Sequence, residues 1–269
     1  MGADTGFAGA AGGNRRPVTR TIDLNADAGE SVGRWLLGAD EELAPLVTSV
    51  NVACGWHAGD PATMARSVAL AKRHGLALGA HPGFPDLVGF GRRSMAFSPT
   101  EAAQAVLYQY GALRALADAQ GVPVVHVKPH GSLYGLVSRD DAVADAVADA
   151  VAAVDPELMF VCEAGPTARR QRERGHRVVA EAFADLEYTD EGHIVIDPQN
   201  RPRDPRWCAD QTADILDGHV VSPAGVRTDI EAESVCLHGD RPGAVANARA
   251  VAARVRELGY DIRAVGGLS

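Results

Sequence analysis

Short apolar runs alternate with longer amphipathic segments along most of the chain. The apolar runs have the length and β-branched content of buried strands, and they lie at residues 21–27, 49–53, 76–80, 123–128, 158–162, 177–181, 234–237 and 262–265. The segments with helical periodicity lie at residues 40–48, 61–74, 98–120, 139–154, 166–174, 207–216 and 242–258. Regular alternation of strands and helices predicts a parallel sheet with crossover connections.

The number of these units predicts how the sheet is arranged. Seven or eight strand–helix units in 269 residues favour an α/β fold of the closed, TIM-like (β/α)7-8 barrel type. The alternative is an open doubly wound sheet, but no predicted strand is followed by a GxGxxG turn, so dinucleotide binding has no support. Residues 185–205 interrupt the alternation with Gly, Asp and three Pro, which predicts a long loop or small hairpin over one end of the barrel.

Composition limits the location and the partners. Residues 1–20 lack the apolar segment of a signal peptide and predict a flexible extension before a single barrel domain at 21–269. The net charge of -9 argues against nucleic acid and an anionic membrane surface as partners. No apolar run reaches the roughly 20 residues that span a bilayer. Four cysteines without a CxxC pair indicate buried thiols in a reducing cytoplasm.

The segment 125–131, VHVKPHG, contains the first candidate for chemistry. Alternation along a strand places His126, Lys128 and His130 on one face, and buried polar groups there need partners. Of 26 Lys and Arg, only Lys72 and Lys128 are lysine. Lysine offers a compact charge with a shiftable pKa, so its use here predicts the floor of an active site. His126, one layer deeper, is interpreted as structural.

Most of the predicted strands end in acidic, basic or amide side chains. The carboxyl ends of the strands carry the chemistry in barrels of this kind, so these groups predict a common polar rim. Structural roles are the alternative for several of them. Asp60 suits the cap of the helix that follows it, Glu163 a loop contact, and Tyr134 packing at a strand end.

Six motifs resemble the LamB/YcsF family, in the expected order from residue 21 to residue 240. They are IDLNADAGE (22–30), NVACGWHAGD (51–60), GAHPGFPDLVGFGR (79–92), VKPHGSLY (127–134), EAFAD (181–185) and CLHGD (236–240). The chain departs from the family pattern at Leu186–Glu187, where Arg usually precedes the Tyr, and at 199–204, which replaces a Gly-Ala segment. Both departures lie in the loop predicted to cover the site, so they bear on substrate specificity.

The family is the A subunit of the bacterial ATP-dependent 5-oxoprolinase. The resemblance therefore implies a distorted barrel of the glycoside hydrolase/deacetylase type. It also implies hydrolysis of 5-oxo-L-proline, with ATP and water, to L-glutamate, ADP and phosphate. Two partner subunits, B and C, are implied as well. The chain has no GxxxxGK[ST] phosphate loop, so we expect the partners to handle the nucleotide while this chain opens the ring.

Each candidate residue has an expected role in that reaction. Asp27 or Asp23 would act as base toward water, His130 or His81 would carry a proton to the leaving nitrogen, and Lys128 would stabilise an oxyanion or phosphorylated intermediate. The expected catalytic group is Asp23, Asn25, Asp27, His57, His81, Lys128 and His130. The expected substrate-binding group is Glu30, Asn51, Asp60, Tyr134, Glu181, Asp185, His238 and Asp240.

Two other functions stay open at the sequence level. Asp27, His57, His81 and His130 offer nitrogen and oxygen ligands for a divalent metal, as in a deacetylase-like hydrolase of a carbohydrate or another amide. No HxxxH or HExxH spacing supports this function, so only the fold would bring the ligands together. The second alternative is a non-catalytic subunit that binds the ligand. The sequence also leaves homo-oligomerisation open.

Overall fold

The computed structural model describes residues 20–196 and 199–267. The predicted N-terminal extension lies outside the described residues except for Arg20, which is the first residue of the first strand rather than part of an extension. In the part of the chain that is described, no helix combines the length and the apolar character needed to cross a membrane.

The described residues form ten strands. They are β1 (Arg20–Ala28), β2 (Ser49–Ala53), β3 (Ala77–His81), β4 (Val124–Val127), β5 (Met159–Glu163), β6 (Val178–Phe183), β7 (His219–Val221), β8 (Arg227–Asp229), β9 (Ser234–Leu237) and β10 (Tyr260–Ile262). The helices are α1 (Asp40–Leu43), α2 (Pro61–His74), α3 (Pro99–Asp118), α4 (Gly131–Arg139), α5 (Asp141–Val154), α6 (Pro166–Glu173), α7 (Pro205–Leu216) and α8 (Ala244–Glu257).

Seven parallel strands close into a barrel in the order β1-β2-β3-β4-β5-β6-β9. The closing pair is β9 with β1, whose register places Asp23 opposite Ser234 and Asn25 opposite Cys236. The start of β1 also pairs with β10, and β7 and β8 form a separate antiparallel pair. The predicted closed barrel is confirmed, and closure through β9 rules out the open-sheet alternative.

The two faces of β1 show how the sequence builds the barrel. Leu24 and Ala26 are buried in the hydrophobic core, whereas Asn25 donates to Glu181 on β6 and to Ser234 on β9 from the opposite face. These hydrogen bonds join β1 to the neighbouring strand β9 and to β6 beyond it inside the barrel, so its interior is polar. Alternation along the strand therefore separates an apolar outer layer beneath the helices from a polar layer inside.

Predicted helix ends at 60–74 and 98–120 correspond closely to α2 and α3. Asp60 caps α2 by accepting from the backbone N–H groups of Ala62 and Thr63. Ser98 and Glu101 form a capping box at the start of α3. These local signals are readable from sequence because they depend only on residues within one turn.

Three predictions differ from the structure. The helix expected at 40–48 is the short α1 followed by a 3-10 turn at Ala44–Leu46, which contains Pro45. Helix α4 was not expected, because the Pro129-His130-Gly131 sequence reads as a stop, yet His130 directly precedes its first residue. The last strand, expected at 262–265, is β10 at Tyr260–Ile262.

Candidate active site

A cavity lies at the carboxyl ends of the barrel strands. Its lining is Asp27, His81, Arg92, Lys128, Pro129, His130, Gly131, Tyr134, Phe183, Leu186, Ile194, Ile196, His238 and Arg241. Four residues of the expected catalytic group therefore share one cavity.

Lys128 lies at the floor of this cavity and is only 1% exposed. Its ammonium nitrogen is 3.0 Å from Asp27 Oδ1, 3.0 Å from Glu181 Oε1 and 2.9 Å from Cys236 Sγ. Burial alone would lower the pKa of Lys128, but the negative charges of Asp27 and Glu181 raise it well above its usual value. Lys128 is therefore a cation at neutral pH.

Asp27 is the anionic partner of Lys128. Burial alone would raise the pKa of Asp27, but the nearby His81 and Lys128 hold it well below its usual range. Its second oxygen, Oδ2, is 3.2 Å from His81 Nε2 and 3.7 Å from His238 Nε2. An ionised carboxylate thus joins the lysine to two histidines.

A layer of amides supports this ion pair from below. Asn51 donates to Asn25 Oδ1 at 2.7 Å and to Asp27 Oδ1 at 2.9 Å. His126 Nε2 lies 2.8 Å from Asn51 Oδ1, and burial lowers the pKa of His126 to about 3. Asn25 and Asn51 accordingly fix the orientation of Asp27, and His126 lies beneath them as a neutral donor.

The structure separates Asp23 from the other candidates. Its carboxylate accepts hydrogen bonds from the hydroxyls of Thr48, Ser49 and Ser234. Burial raises its pKa. Asp23 lines a different opening, at the amino ends of the strands, so its position gives no support to a role as base.

Three histidines and one glutamate form a second cluster beside Asp27. His130 Nδ1 is 2.9 Å from His81 Nε2, and Glu30 Oε1 is 3.7 Å from both His57 Nε2 and His130 Nδ1. The His57 and His130 rings stack with centroids 3.7 Å apart. Burial holds the pKa of His57 and His130 well below the usual value and raises that of Glu30 well above it.

His238 forms the other wall of the cavity. Asp185 accepts from the backbone N–H of His238 at 2.9 Å and lies 2.8 Å from His238 Nδ1. Burial would lower the pKa of His238, but the charge and hydrogen bond of Asp185 raise it. Asp185 therefore favours the protonated form of His238, whose Nε2 lies toward Asp27.

The described part of the loop at 185–205 supplies one side of the cavity, as its interrupted pattern predicted. Leu186, Ile194 and Ile196 supply apolar lining, and a single bridge between Tyr188 and Ile194 makes part of the loop a small hairpin. Tyr134 contributes a buried ring from α4.

Glu163 holds this loop in place, which agrees with the structural role that the sequence analysis considered for it. Its carboxylate accepts from the backbone N–H of Ile194 and contacts His193, both at 2.7 Å.

Asp60 and Asp240, both from the expected binding group, hold neighbouring groups in place instead of lining the cavity. Asp60 caps α2 and also accepts from Gly33, so its carboxylate holds the loop after β1. Asp240 pairs with Arg92 at 2.9 Å. Arg92 itself lines the cavity, which makes Asp240 a positioning partner.

Sequence reasoning missed Arg92, Cys236 and Arg241. Arg92 and Arg241 line the cavity, and Cys236 contacts the lysine directly. Cys236 was readable, because it lies two residues before His238 on the same strand face. The two arginines lie beyond strand ends, where alternation no longer predicts the direction of a side chain.

The family of the chain follows from a direct comparison. The model described as the LamB/YcsF family matches residues 22–269. The chain belongs to the LamB/YcsF family. This match includes every candidate site residue described above and confirms the resemblance seen in the motifs.

Relatives within the LamB/YcsF family are similar over nearly their full length. A protein of Thermus thermophilus, named as the A subunit of 5-oxoprolinase, is 47% identical over 249 residues, covering 90% of this chain and 99% of the relative. One of Methylococcus capsulatus with the same name is 45% identical, covering 93% and 98%. The crystal structure of the lactam utilization protein from a second strain of Thermus thermophilus has a TM-score of 0.80 at 45% identity, covering 91% of this chain and 99% of that one.

Proposed function

We propose that this chain is the A subunit of an ATP-dependent 5-oxoprolinase and that its cavity opens the lactam of 5-oxo-L-proline to give L-glutamate. The relatives that carry the 5-oxoprolinase name support the substrate and the reaction. The observation that carries the proposal is the buried ion pair of Lys128 and Asp27, both of which line the cavity.

The chemistry of a lactam explains the need for a buried cation. Attack of water on the amide carbonyl places negative charge on the carbonyl oxygen. A fixed cation stabilises that charge most strongly where water is excluded. The Lys128 ammonium is fixed by Asp27 and Glu181, and the apolar side chains of Phe183 and Ile196 limit access of water.

Proton transfer needs an acceptor at the water and a donor at the leaving nitrogen. Asp27 is ionised and accepts the proton of the water, while the protonated His238 gives a proton to the nitrogen. Because Asp27 Oδ2 and His238 Nε2 are 3.7 Å apart, the proton that Asp27 gains can replace the one that His238 loses. His238 takes the role first expected for His130 or His81.

ATP enters this proposal as a co-substrate handled with partner subunits B and C. The word "subunit" in the relatives' names supports an assembly of more than one chain. A cytoplasmic location is part of the proposal, supported by four buried cysteines that are all free thiols.

The deciding experiment is glutamate release from 5-oxoproline and ATP by the purified chain, with and without subunits B and C. We expect release only with the partners present. Lys128→Arg should reduce kcat at least ~100-fold, because the guanidinium fork cannot take the place of an ammonium among Asp27, Glu181 and Cys236.

The matched control is Lys72→Arg, since Lys72 is exposed and bonds only to the carbonyl of Gln120. Lys72→Arg should keep wild-type activity. Full activity in Lys128→Arg would show that this lysine has no part in the reaction.

The cluster of Glu30, His57, His81 and His130 favours a second candidate, a metal-dependent hydrolase of the deacetylase kind. Release of acetate from N-acetylated sugars by the chain alone would support it. A purely ligand-binding subunit would instead keep glutamate release by the complex when Asp27→Asn and His238→Gln are tested separately.

A further inference from the structure

We propose that Glu30, His57, His81 and His130 bind one divalent transition-metal ion beside the lysine site. The proposal goes beyond the reaction assigned above and does not depend on it. It stands on the separation of the four side chains, on the hydrogen bonds that fix two of the imidazole rings, and on the lack of partners at the other ligand atoms.

The four ligands come from four neighbouring segments of the barrel. Glu30 follows β1, His57 follows β2, His81 ends β3 and His130 follows β4. Their ligand atoms all lie within 4.8 Å of one another. Metal–ligand bonds of about 2.1 Å at tetrahedral angles give ligand separations of about 3.4 Å. Three of the six separations, from 2.9 to 3.7 Å, bracket that value, and the others stay within the 4.8 Å limit.

Two backbone carbonyls fix the tautomers of His81 and His130. A carbonyl oxygen only accepts, so His81 Nδ1, 2.8 Å from the oxygen of Lys128, carries a hydrogen. His130 Nε2, 2.8 Å from the oxygen of Phe90, carries a hydrogen for the same reason. Metal-binding histidines are commonly held by such contacts at the ring nitrogen that does not bind the metal.

The consequence is that lone pairs converge. In neutral rings, His81 Nε2 and His130 Nδ1 present lone pairs to each other at 2.9 Å. Among the described residues, Glu30 Oε1 and both nitrogens of His57 are buried without a hydrogen-bond partner. A cation between these atoms would satisfy the lone pairs of His81 and His130 and the Glu30 oxygen, and the Asp27 carboxylate, 3.2 Å from His81 Nε2, would stabilise it further.

The backbone near His130 is shaped for this contact. Phe90 has a left-handed φ of 54°, which is uncommon for a residue other than glycine, and Gly91 follows at 65°. This turn presents the Phe90 carbonyl to His130. Strained conformations of this kind concentrate at functional sites, where the surrounding contacts maintain them.

His57 completes the set without an obstacle. Its ring stacks on that of His130 with an angle of 3° between the planes, so one ring has to turn for both lone pairs to meet a single ion. Because neither nitrogen of His57 forms a hydrogen bond, this ring can turn without losing one.

A second group of possible ligands lies nearby but is not expected to bind the metal ion. Asp27, Cys236 and His238 also lie close together, but the Lys128 ammonium lies 3.0 Å from Asp27 and 2.9 Å from Cys236. A second cation there would be repelled by the first. Three imidazoles with one carboxylate suit Zn²⁺, and Co²⁺ is a spectroscopic probe for the same ligands.

The test measures metal directly. The purified full-length chain is treated with a chelator and then titrated with Zn²⁺, followed by calorimetry and by elemental analysis of the washed protein. We expect one equivalent per chain, and a Co²⁺ form with the visible absorption of a tetrahedral site rich in imidazole. Glu30→Gln and His57→Asn should each weaken Zn²⁺ binding at least tenfold.

His176→Asn is the matched control, because His176 lies at the end of α6 and pairs with Asp149 outside the cluster. It should bind Zn²⁺ like the wild type. Less than a tenth of an equivalent in the wild-type chain would overturn the proposal and leave a shared proton as the cation. Equal affinity in the control and in both ligand variants would also overturn it. If a variant fails to fold, the wild-type stoichiometry and Co²⁺ spectrum decide alone.

Discussion

At the scale of single residues, the site depends on the contrast between two histidine environments. His238 lies against the carboxylate of Asp185, which raises its pKa, whereas burial, with the neighbouring histidines, lowers the pKa values of His57 and His130. The same side chain is therefore a proton donor on one wall of the cavity and a neutral acceptor on the other. Neither state could be predicted from sequence, because each is set by residues far away along the chain.

The contrast predicts a pH dependence. The raised pKa of His238 keeps it protonated to higher pH than a free histidine, and activity is lost as pH rises through that pKa. Asp185→Asn removes the charge that raises the pKa, so the alkaline limb of kcat/KM should move to lower pH. Profiles of both proteins with the partner subunits present measure the shift. If the alkaline limb of the kcat/KM profile does not move, a group other than His238 causes it.

Glycines beside the histidines carry a second prediction. A Cβ at Gly83 would lie 2.5 Å from His57 Nδ1, so Gly83→Ala must displace a buried ring. We expect a loss of about 1–3 kcal/mol in the free energy of unfolding, measured in urea. Gly111 lies in α3 with open space at its Cβ position, so Gly111→Ala should be neutral or stabilising by up to ~1 kcal/mol. Similar losses in both variants would point to a cause other than the His57 contact.

At the scale of elements, the loops at the carboxyl ends of the strands expose large apolar side chains. Trp35 and Leu36, in the loop after β1, are 76% and 85% exposed, and Val88, in the loop after β3, is 91% exposed. Apolar groups on a surface commonly mark a contact with another protein. Under the function proposed above, the partner subunits that handle ATP lie against this end of the barrel.

We therefore expect Trp35→Ser and Leu36→Ser together to weaken the association with subunits B and C at least tenfold, measured by light scattering or calorimetry. Loss of buried apolar area is the reason. Leu258→Ser is the control, since Leu258 follows α8 away from these loops and is 39% exposed. Unchanged affinity in the double variant would place the interface elsewhere.

The bounds of some helices and strands could be predicted from the sequence, and those of others could not. Strands such as β2 and β9 begin and end where their apolar runs do, and α2 begins after its predicted cap. Helix α4 was missed because two glycines and a preceding proline outweigh its apolar face in a local reading. Its stability comes from burial of residues such as Leu133 in the assembled core, which sequence periodicity does not contain.

At the scale of the whole molecule, the barrel decides which polar residues meet. Alternation correctly placed Asn25 and Asp27 on the inner face, and the closed order of strands brought Asp27 to Lys128. Asp23 shares that face but lies near the opposite end, because the four steps between it and Asp27 span about 13 Å of strand. Two residues on the same face of a strand can therefore lie at opposite ends of the barrel, and only the one at the carboxyl end reaches the cavity.

Asn25 joins β1 to β9 through Ser234 and to β6 through Glu181, and Glu181 also holds the lysine in place. The same contacts therefore support both folding and turnover, so a substitution at these residues changes stability and activity together. In a selection for heat tolerance, substitutions that succeed should fall on the outer helices. In a screen for inactive variants, those at Asn25 or Glu181 should disappear from the soluble fraction as well as from the assay.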